Sequence, residues 1–223
     1  MSPRLLIYPW FVERDGSLIA AIVLAAGLST RMGRPKLTLP VAEKTVLERV
    51  LDAFRSSKVD EIVVVLGANA AQIRKIVRFG NERIVVNPDY RRGMSGSLKA
   101  GLGLVEKQAD AVIIALGDQP FLAPRTIDGI VDEYLASGAP LVVPVYQGQR
   151  GNPVLFDRSL FAQIMRIEGD RGAKSVVNGN EAGLRELRVE DRGTLMDIDT
   201  PSDYRKVVSR KFATGRRKTR GRA

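Results

Sequence analysis

Residues 20–36, AAIVLAAGLSTRMGRPK, decide the fold, because an uninterrupted apolar run leads directly into a glycine loop that carries two cations, Arg31 and Lys36. A run that is apolar throughout is typical of a central parallel strand buried on both faces. Gly27 and Gly33 allow the backbone to turn sharply and to approach a ligand closely. Exposed amides in such a loop bind anions, so the stretch predicts a strand that feeds a phosphate-binding loop.

The spacing of the glycines does not fit two other common glycine loops. A P-loop requires G-x-x-x-x-G-K-[ST], whereas here five residues separate Gly27 from Gly33 and two more precede Lys36. A dinucleotide fingerprint requires G-x-G-x-x-G and an acidic residue at the end of the next strand. The next apolar strand, Glu61–Leu66, is followed by Gly67 instead.

Residues 24–36 resemble, without a gap, the signature loop L-A-A-G-x-S-x-R-M-G-x-P-K of the MobA-like nucleotidyltransferases. In that family the loop wraps the base, ribose and triphosphate of an incoming nucleotide. The resemblance implies that Arg31 and Lys36 are catalytic cations that contact the triphosphate; the alternative is a surface turn whose cations are merely solvated. The implied nucleotide-binding residues are Leu24, Ala25, Ala26, Gly27, Arg31, Lys36, Gly67, Ser97 and Gly117.

Length and composition bound the class of protein. A chain of 223 residues with 44% hydrophobic content can form one α/β domain with a substantial core. Cysteine and histidine are absent, so any catalytic base or metal ligand must be oxygen-based, which favours Mg²⁺ or Mn²⁺ over zinc. No run of 18 uncharged apolar residues occurs, and residues 1–16 lack the order of a signal peptide. We expect a cytoplasmic protein that does not bind membranes.

The net charge of +10 is concentrated at the end of the chain. From Arg205 onward there are nine Lys or Arg and no acidic residue, which leaves 26 basic against 25 acidic residues before it. The body of the protein is therefore not a specific nucleic-acid binder. We expect an N-terminal arm over 1–18, a nucleotidyltransferase domain over 19–208 and a basic, disordered tail over 209–223, with a weak polyanion or membrane-surface role for the tail as an alternative.

Strand and helix signals alternate, which indicates a three-layer α/β/α fold with a Rossmann-like, mainly parallel sheet. The resemblance implies the nucleotide-diphospho-sugar transferase type. Strands are expected over 61–66, 83–86, 110–117, 141–145, 184–189 and 196–200. Helices are expected over 45–56, 70–77 after Asn69, 98–107 opened by 95–97, 127–136 capped by Thr126, 172–178, and from Pro201 onward.

Asp118 follows the most apolar strand of the chain, residues 110–117. Ligands of open α/β sheets lie at the carboxyl ends of strands, where Gly27 also falls, so one crevice should receive both residues. An acidic residue here can instead cap a helix, but Thr126 is available for that role. The family resemblance implies that Asp118 holds the divalent metal.

A second pair of carboxylates occurs late in the chain, in MDIDT, residues 196–200. Asp197 and Asp199 are two apart, so on a strand they would share one face and could complete the metal site opposite Asp118. The resemblance implies one metal contact from this segment but does not choose between the two positions. Asp199 could instead cap the closing helix.

Three further polar segments resemble parts of the same family. Residues 87–99, NPDYRRGMSGSLK, resemble a segment that lies beside the nucleotide, although they could form a capped helix without a ligand. Residues 151–156 and 169–174 resemble acceptor-side segments of the cytidylyltransferase branch, and a hairpin with a polar tip is the alternative. The implied acceptor-binding residues are Arg150, Gly151, Asn152 and Asp170.

The resemblance implies a reaction in which CMP passes from CTP to the phosphate of molybdopterin, the molybdenum cofactor, with release of pyrophosphate. A molybdoenzyme would receive the product. The sequence Gly-Asp-Gln-Pro at 117–120 resembles the branch of the family that uses CTP, and the pair Ala25-Ala26 in place of a second glycine favours the smaller base of CTP over that of GTP. GTP with the same acceptor, cytidylyl transfer to a sugar or polyol phosphate, and a non-catalytic chaperone that carries the cofactor remain the alternatives.

Overall fold

The computed structural model describes residues 16–214, with the backbone alone for 210–214. Strands and helices alternate along this range. The strands are β1 (Ile19–Ala25), β2 (Pro40–Val41), β3 (Lys44–Thr45), β4 (Glu61–Leu66), β5 (Arg83–Val86), β6 (Ala111–Leu116), β7 (Leu141–Tyr146), β8 (Gln149–Arg150), β9 (Val154–Asp157) and β10 (Leu184–Arg188). The helices are α1 (Val46–Arg55), α2 (Ala70–Ile76), α3 (Met94–Val105), α4 (Pro124–Ser137), α5 (Phe161–Met165), α6 (Lys174–Gly179) and α7 (Pro201–Thr214).

Eight strands form one sheet in the order β10-β7-β9-β6-β1-β4-β5, with β8 paired to β7 at one end. The strand predicted from the opening stretch, β1, lies inside the sheet and runs parallel to both of its neighbours, β4 and β6. β9 is antiparallel to β6 and to β7. The expectation of a mainly parallel sheet is confirmed.

The side chains of β1 alternate between two separate cores, one on each face of the sheet. Ala21 and Val23 belong to a core shared with α1, α2, α4 and α7. Ile22 belongs to the other core, which α3, α5 and α6 cover. Gly101 lets α3 lie directly on β1, because a Cβ there would be 2.5 Å from Ile22 Cγ2. The result is the expected three-layer α/β/α arrangement.

The helix starts differ from expectation in three places. Asn69 precedes α2, but its side chain accepts no capping hydrogen bond and its backbone is left-handed, with φ of 48°. α3 begins at Met94, so Ser97 lies inside the helix, where its hydroxyl accepts a hydrogen bond from Asn87 at 3.1 Å. Thr126 lies inside α4, and its hydroxyl donates to Asp191 at 2.8 Å instead of capping the helix.

Residues 196–200 do not form the predicted last strand. Ile198 is fully buried, whereas its acidic neighbours Asp197 and Asp199 are not. This difference in burial accounts for the alternation of apolar and acidic residues. Its N–H donates to the carbonyl of Asp118 at 3.0 Å, and this is a loop contact rather than a sheet ladder.

α7 begins at Pro201, as predicted, and continues to Thr214, past the expected end of the domain at residue 208. The remainder of the predicted tail, and the N-terminal arm up to residue 15, lie outside the described residues. None of the helices in the described part of the chain has the length and apolar character needed to cross a lipid bilayer.

Candidate active site

A crevice of about 710 Å³ opens at the carboxyl ends of the parallel strands. Its volume lies in the range of small-molecule binding sites. The loops after β1, β5 and β6 all reach it, as the parallel topology requires. The residues lining it are Leu24, Ala25, Ala26, Gly27, Leu28, Ser29, Thr30, Arg31, Lys36, Leu37, Tyr90, Arg91, Arg92, Gly93, Met94, Ser97, Leu116, Asp118, Asp170, Asp197 and Asp199.

The loop after β1 is held in shape by its own backbone. Ser29 and Gly33 both adopt left-handed conformations, with φ of 55° and 70°, at the two ends of a single 3-10 turn. The side chain of Met32, within that turn, is buried in the core. The backbone N–H of Lys36 donates to the hydroxyl of Ser29 at 3.3 Å, which closes the loop. Arg31 is therefore presented at the crevice by an ordered turn.

Two cations and two carboxylates meet in this crevice. The ammonium of Lys36 lies 2.5 Å from Oδ2 of Asp118 and 2.6 Å from Oδ1 of Asp199. A guanidinium nitrogen of Arg31, which is exposed, lies 2.8 Å from the other oxygen of Asp199. The structure thus brings together the predicted triphosphate cations and two of the predicted metal ligands.

The ionisation of these groups follows from the contacts. Burial lowers the pKa of Lys36, but the charge and hydrogen bond of Asp118, followed by those of Asp199, outweigh it and raise the pKa above the ordinary value. Burial raises the pKa of Asp199, but Lys36 and Arg31 hold it below the ordinary value. The pKa of Asp197 is raised by burial and by the charges of Asp118 and Asp199.

The residues present fit a divalent cation of the Mg²⁺ type. Oδ1 of Asp118 is buried and has no hydrogen-bond partner among the described residues. The described range contains no group of three or more acidic, His or Cys side chains arranged as a complete metal cage. Mg²⁺ usually takes one or two carboxylates together with substrate phosphates, so such a cage is not required. Asp118 and Asp199 would hold the cation, and Asp197 lies beside them.

Asp199 is free to face the crevice because another residue caps α7. The N–H of Asp203 donates to the hydroxyl of Thr200 at 3.2 Å, and the carboxylate of Asp203 accepts from the N–H of Thr200 at 3.0 Å. This reciprocal pair is a capping box. The alternative role of Asp199 as a helix cap is therefore not observed.

Seven of the nine predicted nucleotide-binding residues line the crevice, and the other two, Gly67 and Gly117, lie outside its lining. A Cβ at Gly67 would lie 2.8 Å from both Ala26 and Tyr90. A Cβ at Gly117 would lie 3.0 Å from the carbonyl of Leu24. These two glycines allow neighbouring loops to pack closely under the lining.

The predicted acceptor residues separate into two groups. Asp170 lines the crevice and accepts the N–H of Met94, at the start of α3, at 3.3 Å. Arg150, Gly151 and Asn152 lie outside the lining. The guanidinium of Arg150 is engaged on the surface by Glu181 at 2.6 Å and by Glu186 at 2.8 Å. An acceptor role for these three residues stays a prediction.

Sequence reasoning placed residues 87–99 beside the nucleotide but named only Ser97 among them as a site residue. Five more residues of that segment line the crevice: Tyr90, Arg91 and Arg92, which form a 3-10 turn, then Gly93, and Met94 at the start of α3. Two adjacent arginines directly after a short strand were the available signal, since anion sites collect at that edge of the sheet.

A second hollow, of about 550 Å³, lies beside the crevice at the end of β7. β7 runs in the same direction as β6, because both are antiparallel to β9. Met196 lines the hollow and the next residue, Asp197, lines the crevice, so the two concavities are adjacent. The residues lining the hollow are Tyr146, Gln147, Gln149, Arg192, Leu195 and Met196.

The chain is similar in sequence to several known proteins. The sequence model of the MobA-like NTP transferase domain matches residues 21–187, which is most of the chain. The chain is 29% identical over 195 residues to the purine catabolism protein PucB of Bacillus subtilis, covering 83% of this chain and 94% of the relative. It is also 29% identical over 193 residues to the molybdenum cofactor cytidylyltransferase of Escherichia coli, covering 84% and 94%.

Solved structures show the same fold. The crystal structure of Rv0371c from Mycobacterium tuberculosis H37Rv aligns with a TM-score of 0.80 and 34% identity, covering 87% of this chain and 98% of that one. A structure of Rv0371c in complex with manganese aligns with a TM-score of 0.75 and 32% identity, covering 86% and 99%.

Proposed function

The chain belongs to the MobA-like NTP transferase family, and from this premise we propose that it transfers CMP from CTP to the phosphate of molybdopterin, with release of pyrophosphate. The general activity, nucleotidyl transfer, follows from membership of the family. A molybdoenzyme is the proposed recipient of the product.

One observation carries the proposal: the loop cations Arg31 and Lys36 meet the carboxylates Asp118 and Asp199 in a single crevice. Nucleotidyl transfer requires positive charge around the triphosphate. The divalent cation that accompanies the triphosphate in turn requires carboxylate ligands nearby. A crevice built only to bind an anion would have no use for two carboxylates beside its cations.

The reaction is an in-line displacement. An oxygen of the acceptor phosphate attacks the α-phosphorus of CTP, the bond to the oxygen bridging the α- and β-phosphates breaks, and pyrophosphate leaves. Arg31 and Lys36 neutralise charge that builds up on the triphosphate. Asp118 and Asp199 would hold a divalent cation, which would supply further positive charge near the triphosphate. The acceptor phosphate is ionised at pH 7, so the absence of histidine is no obstacle.

The choice of CTP is supported by Ala25 and Ala26, which line the crevice within the signature loop. The likeness to the cytidylyltransferase of E. coli supports the same choice. GTP with the same acceptor is the nearest rival. Gln119, which follows Asp118 in the Gly-Asp-Gln-Pro stretch, lies outside the crevice lining, so the support for CTP from this stretch is the resemblance alone.

The second hollow is the proposed place of the acceptor. It lies at the same edge of the sheet as the crevice, so a molecule in it can direct a phosphate toward Asp118 and Asp197. Its amide side chains can pair with the donor and acceptor edge of a pterin ring, and Arg192 can attract an anionic group. The Gln147 backbone, with φ of 48°, turns the hairpin that presents these groups.

The decisive experiment offers the purified protein Mg²⁺ or Mn²⁺, molybdenum cofactor and each nucleoside triphosphate separately, and measures pyrophosphate release. CTP should exceed GTP by at least about tenfold, or about 1.4 kcal/mol. Preference for GTP would move the protein to the guanylyltransferase branch. Turnover with a sugar or polyol phosphate in place of molybdenum cofactor would overturn the assignment of the acceptor.

A further inference from the structure

The side chain of Gln119 is turned away from the crevice that its neighbour Asp118 lines. Gln119 is only 3% exposed. Its amide nitrogen donates to the carbonyl oxygen of Thr194 at 3.3 Å. A buried amide that is committed to a backbone carbonyl is part of the support of the site rather than a reader of the substrate.

The carbonyl of Thr194 is a junction between three parts of the chain. Besides the amide of Gln119, it accepts the backbone N–H of Asn152 at 2.9 Å, so both of its lone pairs are used. Thr194 is fully buried. Gly151 allows the chain before Asn152 to lie against the same carbonyl oxygen, because a Cβ at this position would be only 2.7 Å from it.

The segment that contains Thr194 is fixed at two further points. At its start, the carboxylate of Asp191 accepts the N–H of Ala123 and the hydroxyl of Thr126, both at 2.8 Å. At its end, the N–H of Ile198 donates to the carbonyl of Asp118 at 3.0 Å. Between these two points, Gln119 contacts the segment from the loop after β6. Among the described residues, no other polar side chain of that loop donates a hydrogen bond to it there.

We propose that Gln119 is a positioning residue, which sets the place of Asp197 and Asp199 opposite Asp118 and thereby the affinity of the crevice for its divalent cation. The two carboxylates lie on a loop with no helix or sheet ladder to hold them, three and five residues beyond the Thr194 junction. Loss of a partner that orients metal ligands usually weakens metal binding by about 10- to 100-fold. This inference rests on the metal-dependent transfer proposed above.

The test compares Gln119→Leu and Gln119→Met with Gln108→Leu. Gln108 is a matched control, because its amide also donates one hydrogen bond, to Glu61 at 3.1 Å, but on the exposed surface. Mn²⁺ affinity is measured by calorimetry and by electron paramagnetic resonance without nucleotide, and the ratio of CTP to GTP turnover is measured separately. Thermal unfolding shows which variants are folded, and Gln119→Met provides a second, more adaptable side chain if Gln119→Leu is not.

The expected result is Mn²⁺ binding weakened by about tenfold or more in the Gln119 variants, with a CTP to GTP ratio within about twofold of the unmodified protein. Unchanged Mn²⁺ affinity in a folded Gln119 variant would overturn the proposal. So would a tenfold change in the nucleotide ratio with unchanged Mn²⁺ affinity, because that result would make Gln119 a determinant of base choice. Failure of the proposed function would show differently, as absence of pyrophosphate release by the unmodified protein.

Discussion

Lys36 and Asp118 are 82 positions apart in the chain, yet the ammonium of one lies 2.5 Å from a carboxylate oxygen of the other. The same ammonium also contacts Asp199. The residue expected to bind the triphosphate therefore neutralises the residues expected to bind the metal. A metal cation and the ammonium compete for the same oxygens, so a nucleotide that engages Lys36 should free both carboxylates.

Lys36→Met should therefore bind Mn²⁺ more tightly than the unmodified protein in the absence of nucleotide, by about tenfold or more. Removing a cation that lies within 3 Å of both carboxylates removes a repulsion worth more than 1 kcal/mol at the dielectric of a protein surface. CTP turnover should fall, because the triphosphate loses a contact. Calorimetry with and without CTP measures the first effect and pyrophosphate release the second.

Lys44→Met is the matched control for that experiment. Lys44 pairs with Asp52 at 2.6 Å outside the crevice, so its loss should change neither quantity. Weaker Mn²⁺ binding by Lys36→Met than by the control would show that Lys36 does not compete with the metal.

Asp118→Asn should lower kcat by at least about 10³-fold and leave the fold intact. The substitution removes a charged metal ligand but keeps the shape of the side chain, and a thousandfold loss corresponds to about 4 kcal/mol of barrier. Steady-state kinetics and circular dichroism provide the two measurements. A folded variant that retained a tenth of the unmodified rate would remove Asp118 from the catalytic centre.

Tyr204 on α7 should prove to hold the signature loop in place. Its hydroxyl donates to the carbonyl of Pro40 at 2.7 Å, and the guanidinium of Arg34 lies 5.5 Å from the centre of its ring. A cation-π contact at an exposed site contributes about 0.5–1 kcal/mol. Tyr204→Leu should raise KM for CTP several-fold with little change in kcat, and Tyr204→Phe, which keeps the ring, should show a smaller rise. Equal effects of the two variants would argue against the ring contact.

Glu48 should make stability depend on pH. Burial raises the pKa of Glu48, but the N–H groups of Thr45 and Arg78, which donate to its carboxylate at 2.6 and 3.0 Å, hold it below the ordinary value of 4.5. A lowered pKa means that the unfolded chain takes up this proton more readily than the folded protein. The stabilisation is therefore fully present above pH 4.5 and is lost as the pH falls through the folded-state pKa.

Glu48→Gln should accordingly reduce the free energy of unfolding by about 1 kcal/mol at pH 7, because the neutral amide can still accept these hydrogen bonds but lacks the charge that strengthens them. The difference from the unmodified protein should shrink toward pH 3. Urea titrations at both pH values measure it, with the exposed Glu43→Gln as control. A difference that stayed constant with pH would contradict the linkage.

Deleting residues 215–223 should change neither kcat nor the melting temperature. The crevice and both cores are built from residues before that point. The deleted segment carries five Lys or Arg, so any effect should appear as a flatter salt dependence of polyanion binding. Loss of CTP turnover at moderate salt would assign the segment to the active site.

The parts of the fold with a strong local signal were predictable. The bounds of β4 and β5 were predicted to the residue, because each is a short apolar run between turn signals. The helix of residues 45–56 was predicted for the same kind of reason, since its apolar positions recur at helical spacing. Gly27, Arg31, Lys36 and Asp118 were placed in one crevice by topology, and the structure brings them together.

The misses have a shared physical cause, which is contact between residues distant in sequence. Residues 196–200 alternate like a strand, but Ile198 pairs with Asp118 and finds no neighbouring strand. Thr126 donates to Asp191, which lies 65 residues away, and this contact leaves no trace in the local sequence.

The separation of Arg31 and Asp199, 168 positions in the chain, also bears on how the protein is made. A ribosome delivers the loop that carries Arg31 and Lys36 well before Asp199. A nascent chain that stops short of Asp199 can already contain Lys36 and Asp118, yet it lacks the carboxylate that both loop cations contact. Contacts of such long range form late in folding. The last strand, β10, ends at Arg188, so the growing polypeptide contains its whole sheet before it gains Asp199, and the contacts of Asp199 with both loop cations are added to a sheet whose strands are already present.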